Sequence, residues 1–425
     1  MMREKIKSVL LAVLVALSLF QSFMLAYNKP DPNPINDQDY VKSEMMGETL
    51  TMEDLLTPKD IVLHFGNSQH TVLYPGEYFF TLIMDNLESV ELSEIQRMNP
   101  TKASLLNMRQ EHPGMEVRFH VPVTPGMIRN TATIHHGLFE LPQNLRFDTI
   151  WLMKDKDETV RAFLVSDEEV YMAANVTMSA RDLERNVTFG QFRVKYTTDD
   201  GILYIPAEDI SVAHRARFPY TTYTSEQLRN NLFVDPGISR SIIQRDNTEI
   251  ITDGKRGLEI DHTSHWMNYS DPAAPADEEM DVESNLNSAL QFVNENGGWN
   301  GDYLLYRLPE GFNQEYRFIL YFEAAPILPT NPSRFGYIQV TMSNGLATGY
   351  ERSIINPDWD KVERTTASLP GGEVLSQKLQ SYGDRSLIRD LFPAYEAVIR
   401  EDIIELVPKW AVERTDGYFD FLDKG

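Results

Sequence analysis

Nine histidines are the first residues to test for chemistry, because imidazole is both a frequent metal ligand and the side chain that titrates near neutral pH. His262 and His265 stand three residues apart with Asp261 beside them, and on a helix that spacing would put both rings on one face. The surrounding EIDHTSHWMNYSDP has no helical pattern, so the pair reads as exposed loop histidines. His135 and His136 are adjacent, which on a strand sends them to opposite faces. The carboxylates of Asp155, Asp157 and Glu158, of Asp199-Asp200 and of Asp277-Glu278-Glu279 fall in turns and a linker. Water keeps such groups ionised, whereas a general acid needs burial. There is no GxSxG elbow, no SxxK, no HExxH and no glycine-rich phosphate cradle. The absence of cysteine removes disulfides, thiolate metal sites, a thiol nucleophile and a lipid-acceptor cysteine. The expectation is a protein with no catalytic residue, no metal and no cofactor.

The elements that would position these groups are mixed. Thr51-Met-Glu-Asp-Leu-Leu reads as a capped helical turn, and Asp60-IVLHF, Thr71-VLY and Glu116-VRFHV read as strands. Residues 77–90 and 89–98 carry apolar side chains at i, i+3 and i+4 and are expected to be helical. Residues 148–176 form a β-meander with charged turns, Met178-SARDLERNV a helix, and residues 192–205 a hairpin. Two helices, from Asp281 and Gly372, are each followed by antiparallel strands. Between Asp271 and Asp281 the chain reads as an exposed linker.

Val9 to Leu25 is an uncharged apolar run, and with its weakly polar flanks it reaches about 20 residues, or about 30 Å of helix, enough to cross a bilayer. Arg3, Lys5 and Lys7 precede it and an acidic segment follows, so the N-terminus is expected in the cytoplasm. The run is longer than a signal-peptide core and lacks a small-x-small cleavage pair, which favours an uncleaved anchor. Beyond residue 27 the chain carries 36 basic against 62 acidic residues, a balance that opposes nucleic acid and anionic surfaces. The organisation expected is a cytoplasmic tail 1–7, a transmembrane helix 8–27, a proline-rich stalk 28–45, and three α+β domains at 46–145, 146–230 and 231–425, the last with two helix-plus-meander units. The fold class is α+β: one N-terminal span and a multi-domain ectodomain of antiparallel sheets with packed helices.

Residues Leu232 to Ile260, LFVDPGISRSIIQRDNTEIITDGKRGLEI, resemble a long motif of the YycH (WalH) family. Leu232-Phe233, Asp235, Ser239-Arg240, Asp246-Asn247, Thr252-Asp253-Gly254 and Arg256-Gly257-Leu258 carry the match, and Pro393-Ala394-Tyr395 with Leu406 to Val412 look like the family's ending. Read from the residues alone the motif is structural. Asp246-Asn247 and Asp253-Gly254 are turn pairs around a short strand, and Arg240 and Arg256 are placed to pair with Asp235 or Asp253. The resemblance implies a regulatory role in the cell membrane of a Gram-positive Firmicute, in complex with a YycI-like protein and a WalK-type sensor histidine kinase, adjusting a two-component system that controls cell-wall metabolism.

The function expected is therefore a non-catalytic accessory regulator. Its kinase contact would be the span, where Ser8, Ala12, Ala16, Ser18 and Ser22 fall within an arc of about 160° and permit close helix approach. Rival readings are a sensor of a wall-derived ligand in an interdomain cleft and, less favoured, an anchored wall hydrolase. A hydrolase would gather inward-pointing carboxylates or histidines, so the directions of His64, His120 and His214 separate these readings.

Overall fold

Alternating apolar and polar residues dominate the chain, and two β-sheets dominate the computed structural model. It describes residues 17–18, 45–129, 141, 145–166, 169–272, 281–309, 314–330, 333–383 and 385–422. Residues 1–42 and 43–425 are separate units. Of the first, only Leu17 and Ser18 are described, both helical and exposed. Apart from these two residues the expected span lies outside the described residues, and so do Ser8, Ala12, Ala16 and Ser22. Among the described residues no helix is long and apolar enough to cross a membrane.

The first sheet takes β1 (Asp60–Phe65), β2 (His70–Leu73), β3 (Leu92–Met98), β4 (Pro113–Val123), β5 (Phe147–Lys154), β6 (Val160–Val165), β7 (Val170–Val176), β8 (Tyr196–Thr197) and β9 (Ile205–Pro206). Its order is β3-β7-β6-β5-β4-β1-β2-β8-β9. Strands from 46–145 and from 146–230 thus lie side by side in it. The second sheet begins with β10 (Arg215–Thr222), β11 (Arg240–Ile243), β12 (Thr248–Thr252), β13 (Gly257–Asp261) and β14 (Trp266–Ser270). It continues with β15 (Asp302–Arg307), β16 (Gln314–Phe322), β17 (Ala325–Leu328), β18 (Tyr337–Ser343), β19 (Leu346–Ser353), β20 (Ile355–Pro357), β21 (Glu363–Thr365), β22 (Ile388–Ile399), β23 (Ile403–Arg414) and β24 (Phe419–Phe421). Its path is β11-β12-β13-β14-β19-β18-β16-β17-β22-β23-β10-β20. Pairing is antiparallel except between β17 and β22. The fold is α+β with antiparallel-dominated sheets, as expected.

Both faces of the first sheet are covered, and β1 shows why. Its alternation sends Ile61 and Leu63 into a core shared with Phe218, Tyr316 and Phe318 of the second sheet. Val62 points the other way, to a smaller core with Tyr204, Leu375, Leu391 and Trp410.

Helices α1 (Met52–Leu55), α2 (Tyr78–Leu87), α3 (Lys102–Glu111), α4 (Pro125–Arg129), α5 (Ala180–Thr188), α6 (Ser225–Leu232), α7 (Val282–Glu295) and α8 (Gly372–Tyr382) connect the strands. Their N-caps are chemically legible: Thr51, Thr101, Ser179, Thr224 and Asp281 each accept a backbone N–H of the first turn. Residues 89–98 depart from expectation. They form strand β3, not a helix, because in-register pairing from Leu92↔Val176 to Met98↔Val170 outweighs a short helical periodicity; the pairing breaks only at Glu94, with φ 54°. The expected hairpin at 192–205 shrinks to the two-residue strands β8 and β9.

The segment entering the large unit is tied to α7. Met46 N–H donates to Gly297 O at 2.8 Å, and Glu48 and Trp299 exchange backbone hydrogen bonds, both 2.8 Å. The Asn294 side chain accepts from Leu50 N–H at 3.0 Å and donates to Leu50 O at 2.9 Å. Tyr223 OH reaches Met46 O at 2.8 Å.

Candidate functional site

The motif folds as a run of tight turns on the edge of the second sheet. Asp235 accepts Gly237 N–H at 3.1 Å and opens a 3₁₀ turn, Pro236–Ile238, that delivers the chain into β11. β11 and β12 join through a four-residue connection in which Gln244 N–H donates to Thr248 O at 2.8 Å and Asn247 takes φ 66°. At the next turn Asp253 accepts the N–H groups of Lys255 and Arg256 at 2.9 and 2.8 Å, and Gly254 takes φ 90°. These backbone bonds occupy Asp253. Arg256 pairs instead with Asp271, Nε to Oδ2 at 2.9 Å, because the Gly257↔Ser270 register sets the two residues at facing strand ends. That corrects the pairing expected for Arg256. Arg240, fully exposed, has no carboxylate partner among the described residues. Glu249 gathers this corner, accepting from Ser225 of α6 and Ser241 of β11 and lying 3.4 Å from His262 Nε2. His265 packs against the Tyr220 ring, so the two motif-adjacent histidines face different neighbours. No metal-holding cluster occurs among the described residues.

A second constellation was not singled out from sequence. β4 carries Glu116, Arg118 and His120 on one face, and the register lays Arg118 beside Asp60 and Glu116 beside Val62, with His64 on the same face of β1. This face is covered by Arg109 of α3, by residues 202–204 and by Asp390 of β22. Arg118 grips Asp60 with two hydrogen bonds, 2.6 and 2.7 Å, and reaches Ile202 O at 3.2 Å. Arg109 of α3 pairs with Glu116, and Lys59 crosses to Asp390 of the second sheet. Burial by itself would raise both carboxyls, but Arg109, with His64, holds Glu116 down at about 2 and Lys59, with Arg118, holds Asp390 at about 2.

Behind Glu116, His64 and His70 face each other, Nδ1 to Nδ1 at 2.8 Å, and His64 Nε2 lies 3.6 Å from Glu116. Burial lowers both: His64 is pushed below the usual histidine range, and His70, with His64 as a further cause, falls to about 3. His120 hydrogen-bonds the Tyr321 hydroxyl and is also lowered, by burial and then by Lys59. His214 stays exposed beside Glu323, 3.1 Å away. Between the sheets a cavity of about 420 Å³ is lined by Lys59, Arg109, Glu116, Arg118, His120 and Asp390, among others. Glu413, opposite Asp390 across β22 and β23, is raised by burial.

Two carboxyls with environments of opposite effect could share acid and base roles. Here, however, Glu116, Asp60 and Asp390 are each locked to a cation, the last of them across the two sheets, which suits holding the fold together better than moving protons. The readable signal was the alternation E-V-R-F-H at 116–120, a polar face whose cover comes from three separate places, Arg109, residues 202–204 and Asp390.

Comparison with known proteins agrees with this architecture and spans both sheets. Residues 4–188 match the family model described as YycH protein, N-terminal domain, and residues 201–425 match that described as YycH protein, C-terminal domain. The chain is 19% identical over 440 residues to the two-component system WalR/WalK regulatory protein YycH of Bacillus subtilis (strain 168), covering 97% of this chain and 95% of that relative. The crystal structure of YycH from Bacillus subtilis superposes with a TM-score of 0.70 at 15% identity, covering 90% of this chain and 99% of that one. With family matches running through both halves of the sequence, the chain belongs to the YycH family.

Proposed function

We propose that this protein is a non-catalytic accessory regulator of a WalK-type sensor histidine kinase in a two-component system governing cell-wall metabolism. The observation that carries the reading is the match, along 97% of the chain, to a relative named as a WalR/WalK regulatory protein. The locking of Asp60, Glu116 and Asp390 to cations supports a role without catalysis. In this reading residues 8–27 anchor the protein as a single span with its N-terminus in the cytoplasm. The folded part lies outside, and a YycI-like membrane protein completes the complex. The span supplies helix-to-helix contact through Ser8, Ala12, Ala16, Ser18 and Ser22, since association in lipid depends on small residues that allow close packing.

The test is deletion of the protein followed by measurement of response-regulator phosphorylation. A change of either sign supports regulation, and an unchanged level refutes it.

A further inference from the structure

Sheet edges are normally blunted, because an unpaired strand offers its backbone to any passing chain. In this molecule the edge strand β3 is interrupted at Glu94 and exposes charged side chains, and the edge strand β20 has three residues. β11 is also short, but it is unbroken and carries two exposed isoleucines. Gln244 N–H points inward to Thr248, so Ile242 and Arg240, at the same phase, also face β12. The N–H and C=O groups of Ser241 and Ile243 therefore point away from the sheet, and no described residue takes them up. Aliphatic side chains surround this open backbone: Ile242 is 59% exposed, Ile243 73%, and upstream Val234 and Ile238 are 72% and 62% exposed. Arg240 opens the strand and Arg245 follows its end, both exposed and without a carboxylate partner among the described residues, on a chain of net charge −24.

We infer that β11 is a docking edge that receives an extended segment in trans, one bearing aliphatic side chains and carboxylates, supplied by the part of the sensor kinase outside the membrane. This inference rests on the regulatory reading above. Added-strand pairing would satisfy the open groups of Ser241 and Ile243, the aliphatic side chains would cover Ile242 and Ile243, and the carboxylates would meet Arg240 and Arg245. A second copy of this chain fits less well. Each copy carries the same net charge of −24, so two copies repel as they approach. A lipid surface would leave the outward backbone groups without partners in hydrocarbon.

The test uses the full chain and the full-length kinase in separate nanodiscs, with affinity measured across a salt series. Ile243→Pro removes the outward N–H. Ile243→Lys keeps the backbone and adds an edge charge, so a folding defect in the first variant leaves the second informative. Both should weaken association by about ten-fold or more. Arg240→Glu with Arg245→Glu should weaken it and flatten its salt dependence, whereas Phe192→Ser, at a surface residue 95% exposed elsewhere, should change nothing. Wild-type affinity in both Ile243 variants, with regulation still lost on deletion, overturns the docking edge and spares the regulatory reading. If deletion leaves response-regulator phosphorylation unchanged, the regulatory reading falls first and the inference with it. A homodimer abolished by Ile243→Lys, or binding to phosphatidylglycerol nanodiscs abolished by it without kinase present, overturns the assigned occupant.

Discussion

His64 and His70 are kept uncharged inside the fold, and that has a direction in pH. Their folded-state pKa values lie below the unfolded value of about 6.5, so as pH falls the unfolded chain binds protons first. Their favourable share is present above about pH 6.5 and is lost progressively toward pH 3. Denaturant unfolding at pH 7.5, 6.0 and 5.0 should show stability falling with acidity, and His70→Gln should reduce the slope by up to about 1.4 kcal/mol per pH unit. Glu116 and Asp390 act in a lower window. Their depressed values of about 2 give stability present above about pH 4 and lost as pH falls toward 2. Asp390→Asn leaves Lys59 buried without its partner and should cost about 3–5 kcal/mol, read from chemical denaturation at pH 7. The residues of this layer were visible as an alternating polar run, but not its burial. A polar face on a strand normally means solvent, and here groups from other elements make it interior: Arg109 and Tyr204 close over Glu116 and His64, and Asp390 of β22 meets Lys59.

Among the elements, the caps and strand alternations were legible because they are local. Thr51 and Asp281 signal helix starts within four residues, and Asp253-Gly254 signals its turn. What failed was decided far away. β3 is a strand because β7 lies beside it, and the second sheet is ordered by pairings such as β14 with β19 and β17 with β22 that no local pattern encodes. Close backbone approach was equally hidden. A Cβ at Gly47 would stand 2.0 Å from Trp299 O, so no side chain fits without parting the Glu48–Trp299 bridge. Gly47→Ala should lower stability by about 1–3 kcal/mol, seen as a drop in melting temperature, while Gly254→Ala, with open space around it, should pay only for its left-handed φ.

For the whole molecule, family membership was readable from one 29-residue motif and the chain ending, because tight turns demand particular residues. The arrangement of the two sheets was not. The regulatory reading carries its own prediction at this scale. Ala12→Leu with Ala16→Leu should weaken regulation and co-purification with the kinase while leaving insertion intact, since Leu inserts at least as well as Ala but forces helices apart. Leu10→Ala with Leu17→Ala on the opposite arc should have little effect; the reverse outcome would reject the proposed contact face. The entry segment at 46–50 adds a mechanical consequence. If residues upstream were placed under tension, the load would arrive at the paired backbone bonds of Glu48 and Trp299 and at the Asn294 clasp on Leu50, and pass from there into α7. Those few bonds are the molecule's handle: what holds them decides whether a pull is transmitted to the sheets or dissipated by peeling a short strip of chain away.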